Sequence, residues 1–245
     1  ASSGTQKFLE EMKNKPEQNA SDLIGQFGVG FYAVFMVTDE VVLRTRSYKK
    51  DSVGLEWRSS GAGSYTIEEI NKDNRGTEIT FTLKEDAHEF AQSYQIQSII
   101  RRYSNFVDFP IYMNEEKINT VTALWRKADS EITEDELKEF YQFISNDFQE
   151  PLSHLHIRAE APIAYSALLF VPQVASTTLF QRPDEFDLSL YIKRVFIQND
   201  SKDLLPQYLR FVRGVVDTED LPLNVSREIT QSSPVMAKIK KALTN

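Results

Sequence analysis

The sequence has no cysteine among its 245 residues. Disulfide bonds and cysteine-ligated zinc sites are therefore excluded, and a reducing compartment is permitted. Uninterrupted apolar runs are also short, about half of the ~20 residues with which a helix crosses a bilayer. We therefore expect no membrane partner, and the sequence opens without a secretory signal.

Basic residues are in the minority. The chain has 28 lysines and arginines against 36 aspartates and glutamates, and the net charge of −8 is spread along the sequence. A nucleic-acid binder needs a basic surface that neutralises phosphates, so we expect no nucleic-acid partner. With 26% charged and 41% hydrophobic residues, the composition is that of a soluble globular protein, long enough for two modest domains.

The glycines that are present cluster in one place. Gly25, Gly28 and Gly30 fall within six residues, between a polar segment and an apolar run. Glycine lets consecutive backbone N–H groups converge on one point, which is a geometry that binds phosphate oxygens. The spacing G-x-x-G-x-G matches neither the dinucleotide fingerprint nor the P-loop. By itself the motif is ambiguous, because glycine clusters also form ordinary tight turns.

A second segment gives the glycine motif a context. Residues 220–228 read D-L-P-L-N-V-S-R-E, and together with the glycine motif they resemble the heat-shock protein 90 chaperones. The similarity continues, in the order of that family, through residues 103–110, 139–147 and 210–217. The sequence resembles in particular the members with a short linker, which are the bacterial HtpG type and its mitochondrial relatives.

The hydrophobic pattern predicts an α+β or α/β fold. Runs of strand-forming residues separated by turn residues predict strands, among which residues 76–83 alternate with period two. The earlier strands would form an antiparallel sheet with helices on one face. The predicted strands are residues 41–48, 54–58, 64–70, 76–83, 109–113, 152–158, 163–171 and 188–197. Helical spacing or capping predicts helices at residues 5–12 and 94–103 and after a Thr133–Glu136 capping box, and residues 204–212 and 226–243 complete a second layer.

The resemblance implies a specific architecture. It is a partial two-layer α/β sandwich of the histidine-kinase-like ATPase superfamily, followed by an α/β middle domain. Residues 1–113 would be the C-terminal part of the nucleotide-binding domain, including a mobile lid, residues 114–121 a short linker, and residues 122–245 the middle domain. The chain opens without methionine and ends inside a predicted helix, so we expect a fragment.

The resemblance also implies an ATP site. The phosphates would lie on the glycine motif, adenine near Thr77, and the base of the lid at Ser3 and Gly4. The nucleotide-binding residues implied in this way are Ser3, Gly4, Gly25, Gln26, Phe27, Gly28, Val29, Gly30, Phe31, Thr77 and Arg227. ATP would bind with Mg²⁺. We expect the magnesium ligand and the general base upstream of this sequence, and hence negligible ATPase activity from the chain alone.

Arg227 is the main catalytic candidate. In the resembled family the matching arginine reaches the γ-phosphate in the closed state, a role that suits the permanently charged, forked guanidinium. Gln231 lies one helical turn further on and would support the same contact, while Asn224 would shape the loop. From the residues alone, Arg227 could also be a surface arginine paired with a neighbouring carboxylate.

The function implied is that of an ATP-dependent molecular chaperone. ATP hydrolysis would drive a clamp cycle that assists the folding of client proteins, in a homodimer located in the bacterial cytoplasm or the mitochondrial matrix. Two alternatives remain open at this point. One is another ATPase of the same superfamily, such as a mismatch-repair or topoisomerase subunit, and the other is a non-enzymatic module that binds clients or partners.

Three further features have structural interpretations. The acidic residues at 129–139 are typical of a solvated helix start. His154 and His156 have a spacing that can bind zinc on a strand, but no third ligand is evident, so we predict a structural role. Trp125 is expected to pack at a domain junction, and the resemblance also allows it a contact with client proteins.

Overall fold

The computed structural model describes residues 30–120, 122–174, 186–221 and 233–244. The chain divides into two compact units, residues 1–98 and residues 99–245. The predicted class, a mixture of helices and sheets, is confirmed. Within the described ranges no helix combines the length and the apolar character that crossing a membrane would require.

A four-stranded antiparallel sheet forms the centre of the first unit. Its strands are β1 (Val41–Arg46), β2 (Gly54–Ser59), β3 (Tyr65–Ile70) and β4 (Gly76–Phe81), in the spatial order β3-β2-β1-β4. A 3₁₀ helix precedes the sheet and another follows it, at Gly30–Met36 and Glu85–Ala91. All four strands were predicted from the sequence, and the ends differ by one or two residues.

The two faces of this sheet differ in chemistry. Directly opposed residues of neighbouring strands share a face, and the register therefore places Ile79, Leu43, Trp57 and Ile67 in one cross-strand row. The flanking rows add Phe81, Val41, Ser59 and Tyr65 on one side and Thr77, Thr45, Leu55 and Glu69 on the other. The opposite face carries ion pairs between Arg44 and Glu56 and between Arg58 and Glu40.

The second unit is built on a five-stranded mixed sheet. Its strands are β7 (Ser153–Ala159), β8 (Tyr165–Val171), β9 (Leu188–Ile192), β10 (Val195–Gln198) and β11 (Arg213–Thr218), in the order β10-β9-β11-β8-β7, and β11 runs parallel to β9. A small hairpin of β5 (Tyr112–Met113) and β6 (Glu116–Lys117) precedes the sheet. The α-helices among the described residues are α1 (Ser93–Tyr103), which contains the division between the units, α2 (Glu134–Ser145) and α3 (Pro234–Thr244).

Apolar clusters cover both faces of the second sheet. Met236, Ile239 and Leu243 of α3 pack on one face. On the other face, Trp125 packs together with Leu137, Phe140 and Tyr141 of α2. Helix α2 begins as predicted: the Thr133 hydroxyl accepts from the Glu136 N–H, and the Glu136 carboxylate accepts from the Thr133 N–H. The sheet is thus the middle of three layers.

Two strand predictions need correction. The segment 188–197 forms two strands, β9 and β10, because Lys193 and Arg194 make a turn with φ of 50° and 65°. The prediction missed this turn because neither residue is the glycine or asparagine usual at positive φ. Of the strand predicted at 109–113, only Tyr112–Met113 forms. Which residues separate the two domains stays a prediction.

Candidate functional site

Three of the predicted nucleotide-binding residues lie in the described part of the chain, namely Gly30, Phe31 and Thr77. Their surroundings can therefore be examined directly. The other predicted site residues lie outside the described residues: Ser3, Gly4, Gly25, Gln26, Phe27, Gly28, Val29, Asn224, Arg227 and Gln231.

The glycine motif leads into the 3₁₀ helix Gly30–Met36. The Phe31 ring meets the Trp57 ring edge-on, with 5.7 Å between the ring centroids. The far end of this segment is tied to the chain after β4, since the Lys84 N–H donates to the Val37 carbonyl at 2.9 Å and Lys84 Nζ to the Phe35 carbonyl at 3.3 Å. Because Trp57 belongs to the apolar face of the first sheet, Phe31 lies over that same face.

Thr77 also belongs to the apolar face. It is exposed in β4, and its Oγ1 lies 2.8 Å from Oγ1 of Thr45, the residue directly opposite on β1. In such a pair one hydroxyl donates to the other, and the second hydroxyl keeps its own proton for a further acceptor. The structure therefore brings Phe31 and Thr77, which are far apart in sequence, to one face of one sheet.

The described residues leave space at the start of the 3₁₀ helix. A Cβ built on Gly30 would have no described atom within 4 Å. On the opposite, charged face of the sheet, hydrogen bonds from Arg44 and then from Arg58 hold the pKa of Glu56 below its usual value. The charged groups that surround Glu56 are thus paired among themselves, and the apolar face carries hydroxyls and aromatic rings.

In the second unit, polar groups converge on Asp217 at the end of β11. Asp217 is fully buried, and its Oδ2 accepts from Trp125 Nε1 and from Arg126 Nε, both at 2.9 Å. Its Oδ1 accepts from the Arg194 N–H at 3.2 Å. Arg126 also donates to Oε1 of Glu219 at 2.6 Å. Three donors thus compensate one buried carboxylate.

The buried charge alters neighbouring ionisable groups. Burial alone would lower the pKa of Arg126, but the charge of Asp217 and the hydrogen bonds to Glu219 and Asp217 outweigh it, and this pKa is raised. Burial, followed by the charge of Asp217, raises the pKa of Tyr191 far above its usual value. Arg126 therefore stays cationic and Tyr191 neutral over the physiological range.

The end of β11 and the residues just beyond it are hydrogen-bonded to the connection between β7 and β8. The Thr218 hydroxyl donates to the Ala164 carbonyl at 2.8 Å, and the Asp220 N–H donates to the Thr218 hydroxyl at 3.2 Å. The Ala164 N–H donates to Oδ2 of Asp220 at 2.7 Å. The strand end is therefore held by several bonds immediately before the segment 222–232, which carries Asn224, Arg227 and Gln231.

Sequence reasoning missed this polar cluster. Asp217 ends an apolar strand, V-V-D-T, and a carboxylate at such a position is a signal of a buried polar site. The Trp125 side chain is fully buried and donates a hydrogen bond to Asp217, which agrees with the predicted packing role.

The predicted structural role of His156 also agrees with its contacts. Its Nδ1 lies against Asp129, and its Nε2 lies 2.9 Å from the Trp125 carbonyl oxygen. Among the described residues, no three potential metal ligands meet.

Comparisons with known proteins place these features in a family. The model of the family described as Hsp90 protein matches residues 112–245. The whole chain is 54% identical to Chaperone protein HtpG of Chlorobium phaeovibrioides and 49% identical to that of Desulfitobacterium hafniense, each time over 40% of the relative's length. For the protein of the same name from Hydrogenovibrio crunogenus, the identity is 47%, over 99% of the chain and 41% of the relative.

The chain thus spans about 40% of the length of the curated relatives that it matches. The resemblance predicted from the glycine motif and residues 220–228 is confirmed, because the family match covers more than half of the chain. The chain belongs to the Hsp90 family.

Proposed function

We propose that the full-length protein is an ATP-dependent molecular chaperone, in which ATP hydrolysis drives a clamp cycle on partly folded client proteins. The observation that carries this proposal is the similarity, along the entire chain, to proteins named Chaperone protein HtpG. A homodimeric assembly and a bacterial cytoplasmic location belong to the same proposal.

The first unit would hold the nucleotide. The shared apolar face of Phe31 and Thr77 supports this assignment, because a purine has apolar faces and an edge of hydrogen-bonding groups. The Thr45–Thr77 hydroxyl pair offers one free proton to that edge. The phosphates would lie on the backbone N–H groups of residues 26–31, beside the space left open at Gly30.

The second unit would complete the site when the protein closes. Arg227 would bind the γ-phosphate, with Gln231 supporting it and Asn224 shaping the segment. A guanidinium that arrives only on closure stabilises the transition state more than the bound ground state, so hydrolysis is controlled by a conformational step. Arginines supplied in this way contribute roughly 10³-fold or more in other phosphoryl-transfer enzymes.

Magnesium would enter with the nucleotide and neutralise charge on the phosphates. The described residues bring no three potential metal ligands together. In the proposal, this chain supplies the phosphate and adenine contacts.

The test separates ATP binding from ATP hydrolysis in the full-length protein. Arg227→Ala should leave equilibrium ATP affinity within a few-fold and slow single-turnover hydrolysis by roughly one to three orders of magnitude. Arg227→Lys should restore little, because an ammonium cannot reproduce the two parallel bonds of the guanidinium. Arg158→Ala is the matched control, since Arg158 is an exposed arginine of β7. Wild-type turnover in Arg227→Ala would refute the proposed role.

A further inference from the structure

We propose that a pocket in the second unit binds an extended peptide segment in which a large apolar side chain stands next to a lysine or arginine. The segment would belong to a client protein, and in that respect the inference rests on the proposed function. The pocket has a volume of ≈ 370 Å³. Its lining comes from α2, from Asn105 and Phe106, and from residues between Thr120 and Lys127, all of which belong to the second unit.

The inner wall of the pocket is apolar and aromatic. Phe106 is 2% exposed and Phe140 8% exposed, and Leu124 is buried as well. The Phe143 ring stands edge-on to the Phe106 ring, with 6.0 Å between the centroids, yet 46% of Phe143 remains exposed. A large apolar side chain that entered the pocket would cover this exposed ring, which stabilises a complex through apolar burial and aromatic contact.

A buried amide in the pocket has a donor without an acceptor. Asn105 is 4% exposed, and its Oδ1 accepts from the Thr120 N–H at 3.1 Å. Among the described residues nothing accepts from its Nδ2, and this atom is not one of the fully enclosed polar atoms that lack a partner. Nδ2 therefore faces open space, and the open space that Asn105 lines is the pocket. Buried amides are normally satisfied, so this donor indicates an acceptor on a ligand, such as a peptide carbonyl.

The rim of the pocket carries a negative charge with no partner among the described residues. Lys127 and Glu136 neutralise each other, since Lys127 Nζ donates to Oε1 of Glu136 at 2.5 Å. Glu139 is exposed, and no described hydrogen bond or ion pair engages its carboxylate. It precedes Phe143 by four positions on α2, so the charge and the exposed ring are neighbours on the helix surface. The rim therefore attracts a cation and repels an anion.

These three features together select a peptide. Consecutive residues of an extended chain rise by about 3.3 Å, so an apolar side chain, a backbone carbonyl and a basic side chain lie close to one another. A simple aromatic amine lacks the carbonyl, and an acidic segment would be repelled by Glu139. The volume is near the lower end of ligand pockets, which span about 300–1,000 Å³, so it suits one large side chain with its backbone.

The test measures peptide binding to the full-length protein by titration calorimetry without nucleotide. Three acetylated and amidated peptides are compared: Gly-Lys-Phe-Lys-Gly (the lysine peptide), the same peptide with both lysines replaced by glutamate (the glutamate peptide), and the same peptide with phenylalanine replaced by glycine. The lysine peptide should bind most tightly. Loss of the phenylalanine should weaken binding roughly 10-fold or more. The glutamate peptide should bind roughly 3- to 10-fold more weakly, with a smaller difference at high salt.

Two variants assign the binding to this pocket. Glu139→Lys should invert the preference, so that the glutamate peptide binds more tightly than the lysine peptide. Its control is Glu160→Lys, because Glu160 is an exposed glutamate outside this pocket and the change in net charge is the same. Phe143→Ala should weaken binding of the lysine peptide roughly 5- to 30-fold. Its control is Phe148→Ala, because Phe148 is 85% exposed and lies outside the pocket lining, and this variant should bind like the wild type.

The charge reversal decides the test even where Phe143→Ala loses stability, because Glu139 is exposed and has no described bond to lose. An unchanged peptide preference in Glu139→Lys would overturn the inference. So would a lysine peptide that fails to bind at millimolar concentration, or one that binds a folded Phe143→Ala variant as tightly as the wild type.

The remaining outcomes separate this inference from other occupants and from the proposed function. Phenethylamine is titrated as well, and an affinity equal to that of the lysine peptide would show a small-molecule site and overturn the inference. All these titrations lack nucleotide, so none of the negative results bears on the proposed ATPase. ATP hydrolysis by the same full-length protein is measured separately, and its absence would refute the proposed function while the peptide affinities still test the pocket.

Discussion

Replacing Gly214 by alanine should destabilise the second unit strongly. Gly214 lies in β11, which pairs with β8 on one side and β9 on the other. Its φ is +149°, and a Cβ at this position would lie 2.2 Å from the Leu168 carbonyl oxygen and 2.9 Å from the Leu169 Cα. Both neighbours are backbone atoms of a paired strand, so no side-chain rotation can relieve the overlap.

The magnitude follows from two contributions. Attractive contacts between non-bonded heavy atoms have their optimum at about 3.5–4.0 Å, so β8 and β11 would have to separate by more than an ångström. Forcing extra atoms into a packed core costs about 1–3 kcal/mol. An alanine with this backbone conformation adds about 1–2 kcal/mol. The expected loss is therefore about 2–5 kcal/mol, which for a unit of this size lowers Tm by roughly 2–4 °C per kcal/mol.

The assay uses the two tryptophans of the chain, of which Trp57 belongs to the first unit and Trp125 to the second. In a Trp57→Phe background, urea unfolding followed by Trp125 fluorescence reports the second unit. Gly63→Ala is the control, measured through Trp57 in a chain that keeps this tryptophan, because Gly63 has φ of +91° and a Cβ there would meet no described atom within 4 Å. The loss of stability in Gly63→Ala therefore measures the cost of an alanine at positive φ without any steric overlap. An equal loss at Gly63 and Gly214, or no loss at Gly214, would refute the steric reasoning.

Two further predictions concern the nucleotide and acid. In the full-length protein, Gly30→Val should abolish ATP binding, because a β-branched side chain would block the turn and the approach of the phosphates; unchanged affinity by calorimetry would contradict the phosphate assignment. Bonds from Lys127, then from the Thr133 N–H, lower the pKa of Glu136 from 4.5. A lowered folded pKa stabilises the protein above pH 4.5 and ceases to do so as pH falls through the folded value. Glu136→Gln should therefore flatten the acid side of urea-unfolding stability against pH, and parallel curves would exclude this contribution.

Local patterns predicted much of the fold. Strand β4 alternates with period two, β1 to β3 are separated by turn residues, and α2 carries a capping box, so each is specified by residues next to one another. The turn at Lys193 and Arg194 could not be predicted in this way, because its positive φ values are imposed by the pairing of β9 with β10. Tertiary contacts override local preference there.

The candidate site was less accessible to sequence reasoning. The bond between Trp125 and Asp217 joins residues 92 positions apart, and no spacing rule connects them. The common face of Phe31 and Thr77 likewise depends on sheet register. The roles of all the predicted site residues stay predictions, and Ser3, Gly4, Asn224, Arg227 and Gln231 lie outside the described part of the chain.

The contrast between the faces of the first sheet has a consequence for handling the chain in solution. Large apolar side chains on one face are between 36% and 64% exposed, namely Leu55, Tyr65, Ile67, Ile79 and Phe81. Contiguous apolar surface of this kind promotes association, whereas the arginine–glutamate pairs of the other face remain well hydrated. Produced alone, the chain should therefore self-associate through this face. It should bind hydrophobic dyes, associate more as its concentration rises, and associate more strongly in sulfate.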